Sequence, residues 1–303
     1  MRLANDARYQ HGVFSRRQAL DSGVSARLVR RRLTAGLWVE PANNVYADSG
    51  LSMTASAWQW AAVLSCGERA VVSHRSAAQI WGMPVSAPPR PEVSVPNWLH
   101  PRPGPQVNMR AITVPLLDVQ NFHGLPVTSR QRTVLDCLLT LPPNQGRTML
   151  DRVLQHGWVQ VPGIVRAVHE ARGRHGVARA RAVLAGADPG TASEAERVAL
   201  ALLTSGGVTG WVGNYKLLIG GQVVAILDLA FPDLRLAIEI DGWAWHSDPE
   251  RFQEDRRRQN VLVAAGWTML RFTWADLVER PEQVLATVVR TLAQLNKASR
   301  PHL

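Results

Sequence analysis

The sequence predicts an α+β chain built from more than one domain. Three observations predict it. Helix caps and glycine stops crowd the first fifty residues and end in a short hairpin pattern. A proline-rich stretch interrupts the middle. Beyond Asp188-Pro189-Gly190 the elements run α-β-β-β-α-β-α. At 303 residues, the length alone argues for roughly two domains, and up to three. An apolar content of 46% with 11 Trp is ample for packed cores and argues against disorder. The expected boundaries are 1–50, 51–188 and 189–303.

Charge separates these segments. The net charge is +10, carried almost wholly by arginine, since Lys216 and Lys297 are the only lysines. Residues 1–40 hold eight Arg against Asp6, Asp21 and Glu40, a net of +5. Residues 190–303 are close to balanced, at −1. A basic terminus joined to a neutral remainder points to a polyanion-binding module, with nucleic acid the first candidate. Cys66 and Cys137 are too few and too far apart for a zinc site or a disulfide framework. No run approaches the roughly 18 apolar residues of a membrane span, and the N-terminus has no apolar signal core. A cytoplasmic protein with no membrane partner is expected.

The first segment reads as three helices and a hairpin. Ser15 can cap a helix that Gly23 ends, and Ser25 can cap a second, over Ala26–Ala35, stopped at Gly36. Leu37–Val39 and Asn44–Tyr46 read as two short strands about a Pro41/Asn43 turn. Helix, tight turn, helix and β-wing together describe a winged helix-turn-helix. Leu28, Val29 and Leu33 would face its core. Arg27, Arg30, Arg31 and Arg32 would crowd the other faces, suited to phosphates and base edges of double-stranded DNA. The plainer alternative is a solvated basic helix.

In the second segment, Thr54–Leu64 reads as an apolar helix, and Ser73–Gly82 as a capped helix. His74 and Arg75 sit at that helix start, where exposure to solvent is the expectation. Residues 84–105 contain eight prolines and read as a linker interrupted by one short strand, Val93–Val95. Val107–Val114 and Leu116–Val119 read as strands, Arg132–Leu139 opens an apolar helix, and more helix follows across 150–184. No catalytic constellation shows here, so the segment reads as an α+β scaffold.

The third segment carries the chemistry. Thr191/Glu194 and Ser193/Glu196 form overlapping capping boxes that open a helix. Strands follow over 211–219, 223–230 and 235–241, then a helix over 249–265, a strand over 267–273 and a helix over 281–295. Period-2 alternation puts Glu239 and Asp241 on one strand face, opposite Ile238 and Ile240. Asp228, on the neighbouring strand, can share that face. Acids in apolar strands are costly unless paired or metal-bound. Three oxygens there would hold Mg²⁺ or Mn²⁺ and support hydrolysis. Gly242 allows a sharp exit that returns His246 toward the site as an acid or a water-orienting group. Bland readings stand beside these. Asp241 can cap the turn, His246 can pack between Trp243 and Trp245, and a capping box explains Glu196 and Glu194 in full. Arg258 and Arg271 either contact phosphate or pair with Asp255 and Glu239.

Two resemblances sharpen this reading. Gly12-Val-Phe-Ser-Arg-Arg-Gln-Ala-Leu, Gly23-Val-Ser, Arg31-Arg-Leu, Gly36-Leu-Trp and Val45-Tyr46 resemble the N-terminal winged helix of AbiEi-type abortive-infection antitoxins. The Ser73–Ala78 and Arg132–Asp136 segments resemble the middle part of that family. This resemblance implies transcriptional self-regulation through DNA, with a toxin as partner; a homodimer is a further candidate assembly. Ser193-x-x-Glu196, Asp228, Glu239-x-Asp241-Gly242, His246, Asp255-x-x-Arg258, Gly266-Trp267 and Arg271-Phe272 resemble the domain related to very-short-patch repair endonucleases. That group belongs to the PD-(D/E)xK restriction-endonuclease-like superfamily. It implies a mixed sheet flanked by helices and metal-dependent cleavage of DNA phosphodiesters. Asp228 and Glu239 would be metal-site acids and Asp241 a third acid. His246 would match the repair family's histidine, and Glu196 its early helical acid. The superfamily's usual lysine is absent, and Asp241 stands in its place. The sequence thus predicts a DNA-binding endonuclease. Its rivals are a non-catalytic antitoxin-like regulator with a degenerate nuclease domain and a small-molecule hydrolase.

Overall fold

A computed structural model describes residues 2–186, 192–241 and 259–298. The fold is α+β with mixed sheets, and the chain divides into two compact units, Met1–Trp158 and Val159–Leu303.

The first unit opens with α1 (Arg2–Tyr9), β1 (Val13–Ser15), α2 (Arg16–Asp21), α3 (Ala26–Thr34), β2 (Trp38–Ala42) and β3 (Val45–Asp48). The caps read at Ser15 and Ser25 are made, whereas Ser73, also read as a cap, makes no side-chain cap hydrogen bond to the helix it precedes. The Ser15 hydroxyl accepts from Gln18 N while the Gln18 side chain accepts from Ser15 N, and Ser25 accepts from Leu28 N. β3 lies between β1 and β2, antiparallel to both. β1 has only three residues, too few to register as a period-2 pattern. Phe14, Ala19, Val29 and Tyr46 form the local core, with Leu33 and Trp38 packed against it.

A second core crosses the expected boundary at residue 50. Val13, Val45 and Ala47 pack with Ala61, Val93 and Val127 in one cluster. Around it lie α4 (Ala55–Cys66), β4 (Val71–Val72), α5 (His74–Ile80), β5 (Glu92–Val95), β6 (Asn108–Ala111), β7 (Val119–Phe122), β8 (Leu125–Thr128), α6 (Arg130–Thr140) and α7 (Pro143–Gln155). The strands form a mixed sheet in the order β6-β5-β4-β8-β7. The proline-rich stretch is therefore not a free linker. Its strand β5 is interior to the sheet and buried throughout. Cys66 and Cys137 are buried free thiols.

His74 corrects the expectation of an exposed helix start. It is 1% exposed and adopts φ +52°. Its Nδ1 lies 2.8 Å from Ser73 Oγ, which also accepts from Ser94 Oγ at 2.8 Å. Glu92, also buried, pairs with Arg75 and Arg110, and buried Arg132 pairs with Asp136 and Asp118. Burial drives the His74 imidazole down to about 4, so it is neutral near pH 7.

In the second unit, α8 (Val161–Glu170) and α9 (Val177–Ala185) precede α10 (Ala192–Ser205). The expected segment 51–188 groups the first two with the middle of the chain. In the structure α8 packs on α10, and Leu184 O, in α9, accepts from Trp274 Nε1 at 3.2 Å. The sheet comprises β9 (Val212–Ile219), β10 (Gln222–Phe231), β11 (Leu236–Asp241) and β12 (Thr268–Thr273) in the order β12-β11-β10-β9. β10 is antiparallel to both neighbours, while β11 and β12 are parallel. The parallel pair requires a crossover, and residues 259–264, helical and here labelled α11, end it. A short helix, α12 (Trp274–Glu279), capped by Thr273 and Asp276, joins β12 to α13 (Pro281–Ala298). Ala199, Leu203, Val284 and Val288 from α10 and α13 meet Leu229, Ile238 and Ile240 on one sheet face. Leu262 and Trp267 meet Leu227, Ala230 and Ala237 on the other. Among the described residues no helix is long and apolar enough to cross a membrane.

Candidate functional site

The carboxylates sit where the β10–β11 ladder opens. The pairing runs Phe231↔Leu236, Ala230↔Ala237 and Leu229↔Ile238, and stops there. One residue further, the Asp228 Oδ2 accepts a hydrogen bond from Ile240 N at 2.8 Å. A side chain thus replaces the backbone carbonyl that a regular ladder would offer. The packing agrees. Leu227 and Ala230 join one cluster, although a spacing of three puts them on opposite faces of a regular strand, and Leu229 packs on the other side with Ile238. Against β9, β10 keeps one register from Ala225 to Ala230, and its register shift lies between Val223 and Ala225.

Glu239 is 7% exposed. Ile238 and Ile240 point into the α10/α13 side, so Glu239 and Asp241 take the opposite face, as the alternation predicts. Across the parallel pair Glu239 is in register with Arg271, and Asp241 with Thr273. Arg271 therefore lies beside Glu239 on the same face.

Glu196 lies on α10, one turn before Ala199, which packs on the sheet. Its carboxyl is shifted upward by burial first and then by the negative charge of Asp228. The helix has begun by Ala192, so Ser193 lies inside it rather than at its cap. Arg197, its chain neighbour, opposes that upward shift. Asp228 links the set: it is bonded to the β11 backbone and in electrostatic reach of α10. Thr191, Gly242, His246, Asp255 and Arg258 lie outside the described residues.

Asp228 and Glu239 offer oxygen donors only, the chemistry that Mg²⁺ and Mn²⁺ favour. Among the described residues, no three His, Cys, Asp or Glu side chains group closely enough to hold a metal by themselves. Such a pair suits a cation that keeps waters and completes its shell on a substrate phosphate, not a closed protein cage.

Residues 222–292 match the REase_MTES_1575 family. This is a restriction endonuclease-like family, and it supports a restriction-endonuclease-like domain here. The matched residues run from β10 into α13 and take in Asp228, Glu239, Asp241 and Arg271. Two curated relatives are each 28% identical over 180 residues, 59% of this chain and 66% of theirs. They are "Uncharacterized protein MT2308" of Mycobacterium tuberculosis strain CDC 1551 / Oshkosh and "Uncharacterized protein Rv2248" of strain ATCC 25618 / H37Rv. The chain spans just under two thirds of their length.

The basic helix lies in the other unit. Arg27, Arg30 and Arg31 line an open groove on α3 with Ser25, Leu28 and Thr34. Arg32 differs, since its guanidinium sits 5.8 Å from the centroid of the Trp38 ring. Val29 is buried and Leu33 packs on the local core, while Leu28 is half-buried at the groove. Sequence reasoning missed the position of Arg17, which is engaged by Glu68 of the following segment. No local pattern signals that pairing across 51 residues.

Proposed function

We propose that this protein binds double-stranded DNA and that its restriction-endonuclease-like domain hydrolyses DNA phosphodiester bonds with Mg²⁺ or Mn²⁺. One observation carries the reading. The Asp228 carboxylate is held by Ile240 N of β11, the residue that follows buried Glu239, within the residues that match a restriction endonuclease-like family. Acids set into an apolar sheet are costly unless paired, hydrogen-bonded or metal-bound, and these two supply oxygen donors suited to a divalent cation.

In this reading Asp228 and Glu239 hold the cation, with Asp241 as a third candidate. When bound, the cation supplies charge neutralisation at the scissile phosphate and acidifies water. The hydrogen bond from Ile240 N fixes the rotamer of Asp228 and leaves its other oxygen to face the substrate. Glu196 retains a proton more readily than an ordinary glutamate and can give or take one at its carboxyl oxygen. Arg271, beside Glu239, can balance charge on a phosphate. His246 and Arg258 complete the proposed set as proton donor and phosphate contact.

Residues 1–50 serve as a winged helix-turn-helix that delivers the nuclease to duplex DNA. The order α1-β1-α2-α3-β2-β3 and the open arginine groove of α3 support this role. A non-catalytic, antitoxin-like regulator is the second reading. Asp241, in place of the superfamily's usual lysine, favours it.

Plasmid cleavage with Mg²⁺ or Mn²⁺ decides between them. Wild type should nick or linearise DNA, and Asp228→Ala and Glu239→Ala should not. Cleavage retained in both variants would remove the site, and no cleavage by wild type over varied DNAs would favour the regulator.

A further inference from the structure

The wing of the first unit does not stand alone. Its tip, Asn43-Asn44, is held from two sides. On one side Asn44 O accepts from Arg16 N at 2.7 Å, at the start of α2. On the other, residues 102–104 of the proline-rich stretch are docked on Asn43. Asn43 N donates to Pro103 O at 3.0 Å, and Asn43 Nδ2 donates to Arg102 O at 2.8 Å. Pro103 is buried. Gly104 has φ +93°, and a Cβ there would lie 2.9 Å from Asn43 Oδ1, so the close approach requires glycine.

This arrangement brings an arginine from 59 residues away to the wing tip. Arg16 and Arg102 are both exposed, and neither forms an ion pair among the described residues. Their neighbour Arg17 contrasts with them, being occupied by Glu68 and by Asp21 at 4.0 Å. Two arginines without an ion-pair partner among the described residues thus attach through their backbones to a turn rich in amide groups, where the one carboxylate in contact, Glu40, is engaged by Asn44 N at 2.6 Å. Such a cluster is a poor structural device, since exposed like charges contribute no stability, but it suits a phosphodiester backbone.

We infer that Arg102, docked beside the wing tip by Asn43 and Gly104, forms with Arg16 a second phosphate-binding patch on duplex DNA. The inference rests on the proposed DNA-binding role of the first unit and extends the interface beyond residues 1–50. The proline-rich segment then acts as a rigid arm. Prolines limit the chain entropy lost in presenting Arg102.

The test uses the full chain and a mixed-sequence DNA duplex, with EDTA present to prevent cleavage. Affinity is measured by fluorescence anisotropy between about 50 and about 200 mM salt. Arg102→Ala should weaken binding roughly fivefold to tenfold near 0.1 M salt and lower the salt slope by about one. Gly104→Ala should reproduce that change with α3 intact, because it displaces the arm. Arg152→Ala, an exposed arginine of α7, should change neither quantity. If Arg30→Ala lowers affinity and slope while Arg102→Ala and Gly104→Ala leave both at wild-type values, the inference fails and the DNA-binding reading stands. If wild type does not bind the duplex, both fail.

Discussion

Asp228 Oδ2 accepts a hydrogen bond from Ile240 N at 2.8 Å, where the β10–β11 ladder has already ended. The contact makes Asp228 both a candidate ligand and a structural acceptor, and substitutions can separate the two roles. Asp228→Asn retains an acceptor oxygen and removes the charge, so cleavage should be lost while stability changes by under about 1 kcal/mol. Asp228→Ala leaves Ile240 N–H without its acceptor and should cost about 1–3 kcal/mol. Paired nicking assays and urea unfolding distinguish these outcomes. Equal destabilisation by both variants would show that the hydrogen bond is not what Asp228 contributes.

Cation binding should be visible without turnover. Mg²⁺ or Mn²⁺ should raise the melting temperature of wild type, because a ligand that binds only the folded state stabilises it. Glu239→Gln and Asp228→Asn should show no such rise. A wild-type melting temperature indifferent to both cations would remove the metal from the proposal.

Glu196 sets one pH dependence. Its folded-state carboxyl is raised by burial and by Asp228, so the folded state binds this proton more tightly than the unfolded chain. Stability from this group therefore falls as pH rises from the ordinary glutamate range through the raised value. Glu196→Gln should flatten that part of the stability profile. Asp228→Asn should flatten it in part, because it removes the second cause of the shift. An unchanged profile in Glu196→Gln would refute the coupling.

His74 sets the opposite one. Its folded value of about 4 lies below the ordinary histidine value of 6.5. The unfolded chain binds the proton first, so stability is complete above about 6.5 and is lost as pH falls toward 4, by about 3 kcal/mol. His74→Asn suits the left-handed backbone at φ +52° and should abolish that acid sensitivity. Circular dichroism during acid titration would report it.

The four arginines of α3 should not be equivalent. Arg30→Ala and Arg31→Ala should each lower the salt slope of duplex binding by about one. Arg32→Ala should cost about 0.5–1 kcal/mol of stability through its contact with Trp38 and affect DNA binding less. Equal losses of affinity across all four would contradict the partition seen at the groove.

Much of the local structure was legible in the sequence, because its signals are short-range. Ser15 and Ser25 mark helix starts within three residues. The alternation through Ile238-Glu239-Ile240-Asp241 assigns faces to a strand. Acids set into apolar strands marked the candidate site at Asp228 and Glu239. No local pattern showed how the Asp228 side chain leaves its ladder, because that depends on where β11 ends its pairing.

What the sequence by itself determined is therefore many of the elements, the faces of β11, and the acids and arginines available for chemistry. The strand expected over Leu116–Val119 is instead a 3-10 turn over Leu116–Asp118 followed by β7, and the one expected over Val107–Val114 is confined to Asn108–Ala111. Tertiary structure decided the rest. It buried His74 among Ser73 and Ser94, placed α8 and α9 in the second compact unit, turned Arg32 onto Trp38, and brought Arg102 to the β2–β3 turn. The physical reason is one of range. Caps and periodicity act over a few residues, whereas burial and docking depend on residues far apart in the chain, which meet only when the cores form.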